Sequence, residues 1–245
     1  MKIIKEILGR VFALWALVLF AGGLIIIFIP VWIISYQPEP KRTVHVFKVL
    51  HIWMKFFFVL SGVRRVILGH ENFKKGENYV VVCNHNSFMD VPLSSPAIPG
   101  ANKTIAKAEM ARIPIFGAIY KSGSVLVDRR SEESRRKSYV RMKEVLAMGL
   151  HMCIYPEGTR NKTSEPLQRF HDGAFKLAVE NNKAVIPALI FYTRKVLPRK
   201  IFYFWPHRVE MHFLPPVPVG TKTSQILKEE VFQIMKNYLL SKGEW

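Results

Sequence analysis

The chain has 245 residues, 49% of them hydrophobic, with 36 Lys plus Arg against 18 Asp plus Glu and a formal net charge of +18. That length suits one α/β domain plus an appendage, and the charge favours an anionic partner: nucleic acid, an acidic membrane surface or phosphorylated substrates. The two cysteines, Cys83 and Cys153, lack metal-ligand or redox spacing and sit in apolar runs, so they read as small buried hydrophobes and nothing calls for an oxidising compartment.

Residues 11–38 carry no charged side chain. A straight helix of that length is roughly 42 Å long, against a hydrocarbon core of about 30 Å. The run is too long for a signal-peptide core, and no small-residue cleavage site follows it. Pro30 and the Gly22-Gly23 pair allow a kink or a re-entrant path, and Trp15 and Trp32 suit an interface. Both flanks are basic, with Lys2, Lys5 and Arg10 before and Lys41, Arg42 and Lys48 after, so a single span would break the positive-inside rule. A second apolar stretch, 44–63, places Lys48, His51 and Lys55 on one helical face, as an amphipathic interfacial helix does. Gln37-Pro38-Glu39-Pro40 is the turn between the two. The expected arrangement is a membrane-anchoring two-helix hairpin over 1–63, dipping into one leaflet in preference to crossing as a single span.

Residues 64–245 read as the second unit. Short apolar runs at 65–68, 79–83, 124–127, 152–155, 185–190, 201–205 and 209–213 are candidate strands, and 131–148, 172–181 and 223–240 are candidate helices. The alternation of 209–213 suits a sheet edge or a half-exposed strand, and Pro187 marks an edge of pairing. Strands alternating with helices predict an α/β fold with a mostly parallel central sheet flanked by helices, whose ligands bind beyond the carboxyl ends of the strands.

Two polar islands occupy that position. Asn84-His85-Asn86-Ser87-Phe88-Met89-Asp90 follows one strand, and Tyr155-Pro156-Glu157-Gly158-Thr159-Arg160 follows another. His85 and Asp90 stand about 140° apart on one helix, so they meet only if His85 ends the strand and Asp90 opens the next helix. Pro92 supports that placement, and Ser87-x-x-Asp90 fits a capping box. As a dyad, the carboxylate fixes the imidazole tautomer and the ring accepts a proton from an alcohol. Asp90 reads equally as a plain N-cap. No Gly-x-Ser-x-Gly elbow is present, so the nucleophile is expected to be the substrate's own hydroxyl.

In the second island Gly158 permits a tight turn, Arg160 offers a fork suited to phosphate, and Glu157 can accept a hydroxyl or hold an arginine. Its bland alternative is a surface turn with an ion pair. Arg129, after Ser124-Val125-Leu126-Val127-Asp128, converges on the same anion or is solvated with Arg130, Arg135, Arg136 and Lys137; Lys107 reaches a ligand or lies on the surface. Walker, Gly-x-Gly-x-x-Gly, His-Glu-x-x-His and Cys-His zinc patterns do not occur, which disfavours metal, nucleotide and dinucleotide chemistry.

The ordered set Asn84-His85-x-x-x-x-Asp90, Gly123 through Arg129, Pro156-Glu157-Gly158-Thr159-Arg160 and Val185-Ile186-Pro187 resembles the glycerolipid acyltransferase family, in particular 1-acyl-sn-glycerol-3-phosphate acyltransferases of bacterial type. The resemblance implies a glycerol-3-phosphate acyltransferase-like fold and His85, oriented by Asp90, as the base that activates the sn-2 hydroxyl of lysophosphatidic acid. The alkoxide would attack acyl-CoA or acyl-carrier protein directly, giving phosphatidic acid. It also implies substrate binding by Arg129, Glu157, Gly158, Thr159 and Arg160, with Lys107 near the reacting centre. The thioester is a co-substrate, no metal or cofactor is implied, and the expected location is the cytoplasmic face of the cell membrane. Two departures are Tyr155, where Phe is usual, and Asp172, at an often basic place. Competing readings are an acyltransferase acting on another lyso-lipid, such as a lyso-ornithine lipid, and a non-enzymatic basic membrane-binding protein. A nucleic-acid role lacks any module signature.

Overall fold

The N-terminal apolar run forms one long helix, α1 (Lys2–Ile34), with Pro30 inside it, and α2 (Lys41–Leu60) folds back along it. The computed structural model describes residues 2–243. Trp15 closes the hairpin by donating its indole N–H to the Leu60 carbonyl at 2.9 Å. Glu39 in the turn accepts from Arg42 at 2.8 Å, from Thr43 at 2.6 Å and from the Lys103 ammonium at 2.9 Å, which ties the hairpin to the sheet. The outer side of α1 exposes Leu14, Leu17, Val18, Ile25, Ile26 and Ile29, an apolar surface that water does not favour. Both helices are long and apolar enough to cross a membrane.

After the hairpin come β1 (Arg65–Leu68), β2 (Val80–Cys83), α3 (Asp90–Ala97), β3 (Asn102–Lys107), α4 (Phe116–Ser122), β4 (Ser124–Val127) and α5 (Glu132–Ala147). They are followed by β5 (His151–Ile154), α6 (Gly173–Glu180), β6 (Val185–Phe191), α7 (Thr193–Val196), β7 (Val209–Phe213) and α8 (Ser224–Lys242). Ser131 and Thr223 start α5 and α8 by accepting the N–H three residues on, at 3.1 and 3.3 Å.

The seven strands form one sheet in the order β1-β7-β6-β2-β5-β3-β4. From β6 to β4 every pairing is parallel, whereas β7 runs antiparallel to β6 and parallel to β1. β2, β5 and β6 are buried throughout, so their continuous apolar runs reflect a sheet covered on both faces. Val80 and Val82 pack with α5, α6 and α8. Val81 and Cys83 face the other way, into a core shared with Met54, Phe57 and Phe58 of α2 and Ala13 and Ala16 of α1. The hairpin is thus one covering layer of the sheet. Cys83 and Cys153 are both fully buried, with their sulfurs 3.7 Å apart.

Four local expectations change. Residues 201–205 are not a strand: Ile201 and Phe202 face solvent, while the segment docks on α1 through Phe204 N–H to the Gly9 carbonyl at 3.1 Å. A Cβ at Gly9 would come within 2.1 Å of the Tyr203 ring, so glycine is what lets this segment lie on the helix. β7 is not an edge but lies between β1 and β6, and Glu210 and His212 are buried as a pair at 2.8 Å. β3 is an additional interior strand; its polar residues are buried because Asn102 bonds Ser95 and Lys103 meets Glu39. The pairing edge expected at Pro187 does not appear: β6 lies between β7 and β2, Pro187 is in register with Val82 of β2, and its carbonyl accepts the Leu214 N–H at 2.8 Å.

Candidate active site

The parallel strands deliver their carboxyl ends to one rim of the sheet. β2 leads into His85, β5 into Tyr155–Glu157, β4 into Arg129 and β6 into Thr193, while β3 ends at Lys107. Asn84, fully buried, fixes the exit of β2 by clasping Ile190 of β6: its amide donates to the Ile190 carbonyl at 3.0 Å and accepts from the Ile190 N–H at 2.7 Å.

His85 and Asp90 meet across that exit. His85 Nδ1 lies 2.7 Å from Asp90 Oδ2, and Asp90 sits in the first turn of α3. The same oxygen accepts the N–H groups of Asn86 at 2.5 Å and Ser87 at 2.8 Å, while Oδ1 accepts the Thr193 hydroxyl at 2.5 Å. Ser87 N–H to Asp90 is one half of a capping box; the Ser87 hydroxyl instead takes the Met89 N–H. Asp90 is therefore a buried carboxylate whose donors fix both oxygens, leaving Nδ1 of His85 as the protonated ring nitrogen. His85 Nε2 has no hydrogen-bond partner among the described residues, and the side chain remains partly accessible.

Tyr155 supports the imidazole from below, with ring centroids 4.4 Å apart, and its hydroxyl shares a 2.6 Å hydrogen bond with Ser94 of α3. The hydroxyl that distinguishes it from phenylalanine thus joins β5 to α3. Burial pushes its phenol well above the ordinary range.

Glu157 is buried and turned toward the protein. Oε1 accepts the His85 backbone N–H at 2.8 Å and Oε2 that of Gln168 at 2.9 Å. Burial pushes its carboxyl up to about 7, although those two amides pull the other way. Expected from sequence to contact substrate, Glu157 here spans the two islands and positions the His85 backbone. Gly158 has φ +69°, and a Cβ there would crowd the His171 ring at 3.0 Å. Its carbonyl accepts from Arg129 Nη1, so the β4 exit and the second island come together. Thr159 is exposed. Arg160 lies over the Phe88 ring at 3.5 Å, joining the two islands a second time. Lys107 stands exposed on the same rim, and its ammonium touches none of the others among the described residues.

Sequence reasoning missed Thr193, Arg194 and Asn161. Thr193 is buried behind Asp90. Asn161 is fully buried and its N–H donates to the His85 carbonyl at 2.7 Å. The only signal for Thr193 and Arg194 was their place just beyond a parallel strand. The nearby hydroxyls are engaged: Ser87 donates to the Leu197 carbonyl and Thr193 to Asp90. No group of three or more metal-binding side chains occurs among the described residues. The arrangement can take a proton from a hydroxyl at Nε2, on a rim that also carries the cations Arg129, Arg160 and Lys107.

The chain is similar to known proteins. A family model described as Acyltransferase fits residues 64–191. A 1-acyl-sn-glycerol-3-phosphate acyltransferase of Borreliella burgdorferi is 26% identical over 199 residues, covering 81% of this chain and 79% of that one. The alpha form of the enzyme so named in Bos taurus is 29% identical over 204 residues, covering 82% and 71%. The crystal structure of the 1-acyl-sn-glycerophosphate (LPA) acyltransferase PlsC from Thermotoga maritima superposes with a TM-score of 0.83 over 98% of this chain and 99% of that one, at 24% identity. At that identity the likeness establishes the fold.

Proposed function

This chain belongs to the acyltransferase family, whose model spans residues 64–191, and from that premise we propose that it acylates the sn-2 hydroxyl of 1-acyl-sn-glycerol-3-phosphate to form phosphatidic acid. The observation that carries the reading is the His85–Asp90 pair, with Nδ1 tied at 2.7 Å and Nε2 open. Asp90, held by three other donors, keeps the proton on Nδ1 and stabilises the imidazolium that forms. His85 Nε2 removes the acceptor's hydroxyl proton as the oxygen attacks the thioester carbonyl. The carbon–sulfur bond breaks, and the proton on Nε2 passes to the departing thiolate. Engagement of the Ser87 and Thr193 hydroxyls in other bonds supports direct transfer over an acyl-enzyme. Arg129 and Arg160 supply the positive potential for a phosphate, and Lys107 for the charge that develops on the thioester oxygen. The donor is acyl-CoA or acyl-carrier protein.

The apolar hairpin supports a membrane location, and its two basic flanks support the cytoplasmic face. α1 touches the catalytic unit at Gly9 and again at Ile27, which packs in one cluster with Ile119 of α4, so it lies along the domain and offers its outer side to one leaflet. That supports a rim beside the bilayer in which the acceptor would reside.

The test is incubation of the purified protein with lysophosphatidic acid and labelled acyl-CoA or acyl-carrier protein. Phosphatidic acid should form with wild type and fall at least about a hundredfold with His85→Ala. Turnover on a phosphate-free lyso-lipid such as a lyso-ornithine lipid, with none on lysophosphatidic acid, would overturn the acceptor.

A further inference from the structure

A second pair of guanidinium groups flanks His85 on the β6 side, opposite the β4 side that carries Arg129. Arg194 Nη2 donates to Asn86 Oδ1 at 3.2 Å and to the Asn161 carbonyl. Arg199 Nη2 donates to that same carbonyl, and its Nη1 reaches the Lys162 carbonyl at 3.5 Å. Asn161 itself hangs from the His85 carbonyl by its N–H, at 2.7 Å. Two permanent cations are therefore drawn onto one carbonyl a single residue-to-residue hydrogen bond from the base.

Neither arginine forms an ion pair with a carboxylate among the described residues. Arg194 Nε is buried without a hydrogen-bond partner. Burial, and then the charge of Arg199, press Arg194 below the ordinary guanidinium range; Asp90 and Glu157 offset this only in part. A carbonyl dipole satisfies N–H groups but does not cancel two charges, and like charges held this near repel. Structural arginines are usually paired with carboxylates, whereas an unpaired couple with outward N–H groups suits a ligand that brings the negative charge.

We propose that Arg194 and Arg199, with Asn86, form an anion subsite that grips a phosphate group of one of the two substrates. The inference rests on the acyl-transfer reading only for the identity of the phosphate's carrier. Arg199 is exposed and presents its remaining N–H groups, while Arg194 lies behind it and supplies charge. The segment that follows docks on the hairpin: Lys200 pairs with Glu6, and Phe204 N–H meets the Gly9 carbonyl. Ile201 and Phe202 project from it as exposed apolar side chains. The subsite is thus followed directly by the segment that meets the N-terminal end of α1. With Arg129 and Arg160 on the other flank, the rim holds two cationic places for a reaction whose substrates both carry phosphate.

The experiment uses the full chain in detergent micelles, with inorganic phosphate as the probe. Phosphate should raise the thermal midpoint of wild type and broaden its own phosphorus resonance. Arg199→Gln should lose both effects and Arg199→Lys retain part of them. In steady-state kinetics Arg199→Gln should raise the KM for one anionic substrate about tenfold or more, with kcat changed less than about threefold. A rise for lysophosphatidic acid assigns the phosphate monoester headgroup, and a rise for acyl-CoA assigns the donor's phosphates. Undiminished phosphate protection in Arg199→Gln overturns the subsite. So does a fall in kcat and thermal midpoint with both KM values unchanged, the signature of a purely structural brace. Arg199→Lys keeps the question answerable if Arg199→Gln does not fold. Wild type that binds phosphate yet makes no phosphatidic acid would sink the acyl-transfer reading and leave the subsite standing.

Discussion

Both oxygens of Glu157 are spent on backbone N–H groups, from His85 at 2.8 Å and Gln168 at 2.9 Å, so the carboxylate acts on the base through the chain that carries it. Glutamine keeps the size but offers one accepting oxygen; its amide nitrogen would face an N–H, leaving that donor unpaired. Glu157→Gln should therefore let His85 drift and lower kcat by roughly ten- to a hundredfold, with the KM for lysophosphatidic acid changed less than about twofold. Steady-state kinetics at pH 8, with circular dichroism to confirm folding, measures both constants. A raised KM at unchanged kcat would return Glu157 to direct contact with substrate. At this scale the dyad was legible, because a spacing of five from a strand exit to a helix start can bring His85 to Asp90. The direction of the Glu157 side chain was not, since a tight turn at Gly158 can aim it either way. Thr193 was invisible: its hydroxyl meets Asp90 from 103 residues away, and threonine after a strand is commonplace.

Elements were readable where burial alone dictated their composition. β2 and β6 are covered on both faces and read as unbroken apolar runs. β3 escaped because Asn102-Lys103-Thr104-Ile105-Ala106-Lys107 looks polar, and the partners that let it be buried, Glu39 and Ser95, lie elsewhere in the chain. Residues 201–205 misled in the opposite sense, since their apolar character serves contact with α1 and the outer surface. The start of β5 carries a testable consequence of such burial. His151 Nδ1 accepts the Tyr79 N–H at 3.1 Å and Nε2 donates to the Pro99 carbonyl at 3.0 Å, so the neutral ring joins β2 and β5 to the segment before β3. Burial holds its pKa at about 4 against an ordinary 6.5. A base whose pKa is lowered on folding contributes stability above 6.5 that is lost as pH falls toward 4. Between pH 6.5 and 5 the loss is about 2 kcal/mol. Glu157, raised from 4.5 to about 7, acts with the opposite sign, since its burial becomes easier as pH falls through that range. The clean measurement is therefore the difference between wild type and His151→Gln in urea unfolding at pH 7 and pH 5. Wild type should lose about 2 kcal/mol relative to the variant over that interval. Parallel pH dependences would mean that His151 titrates like a solvated imidazole.

At the scale of the whole molecule, the compositional boundary near residue 63 is not a boundary of packing. Hydropathy separates an apolar hairpin from an α/β unit, yet it cannot say which face of the hairpin meets protein and which meets lipid. In the fold α2 places Met54, Phe57 and Phe58 against Val81, Cys83, Ile186 and Met211 of the sheet. Phe58 is fully buried there. Re-exposing three such side chains costs about 5–9 kcal/mol, the size of a typical domain's entire stability. α3, only 8 residues long, is too short to cover that face without the hairpin. The fragment 64–245 should consequently fail to fold as a soluble monomer. Expressed alone, it is expected to aggregate or to elute as a broad high-mass species in size-exclusion chromatography, without near-ultraviolet circular dichroism. A monodisperse fragment with a cooperative thermal transition would show instead that the hairpin is a detachable anchor. If the fragment fails as expected, the proposed membrane attachment and the proposed catalysis share one core: the apolar hairpin is the layer on which β2 and β6, and so His85 and Thr193, are built.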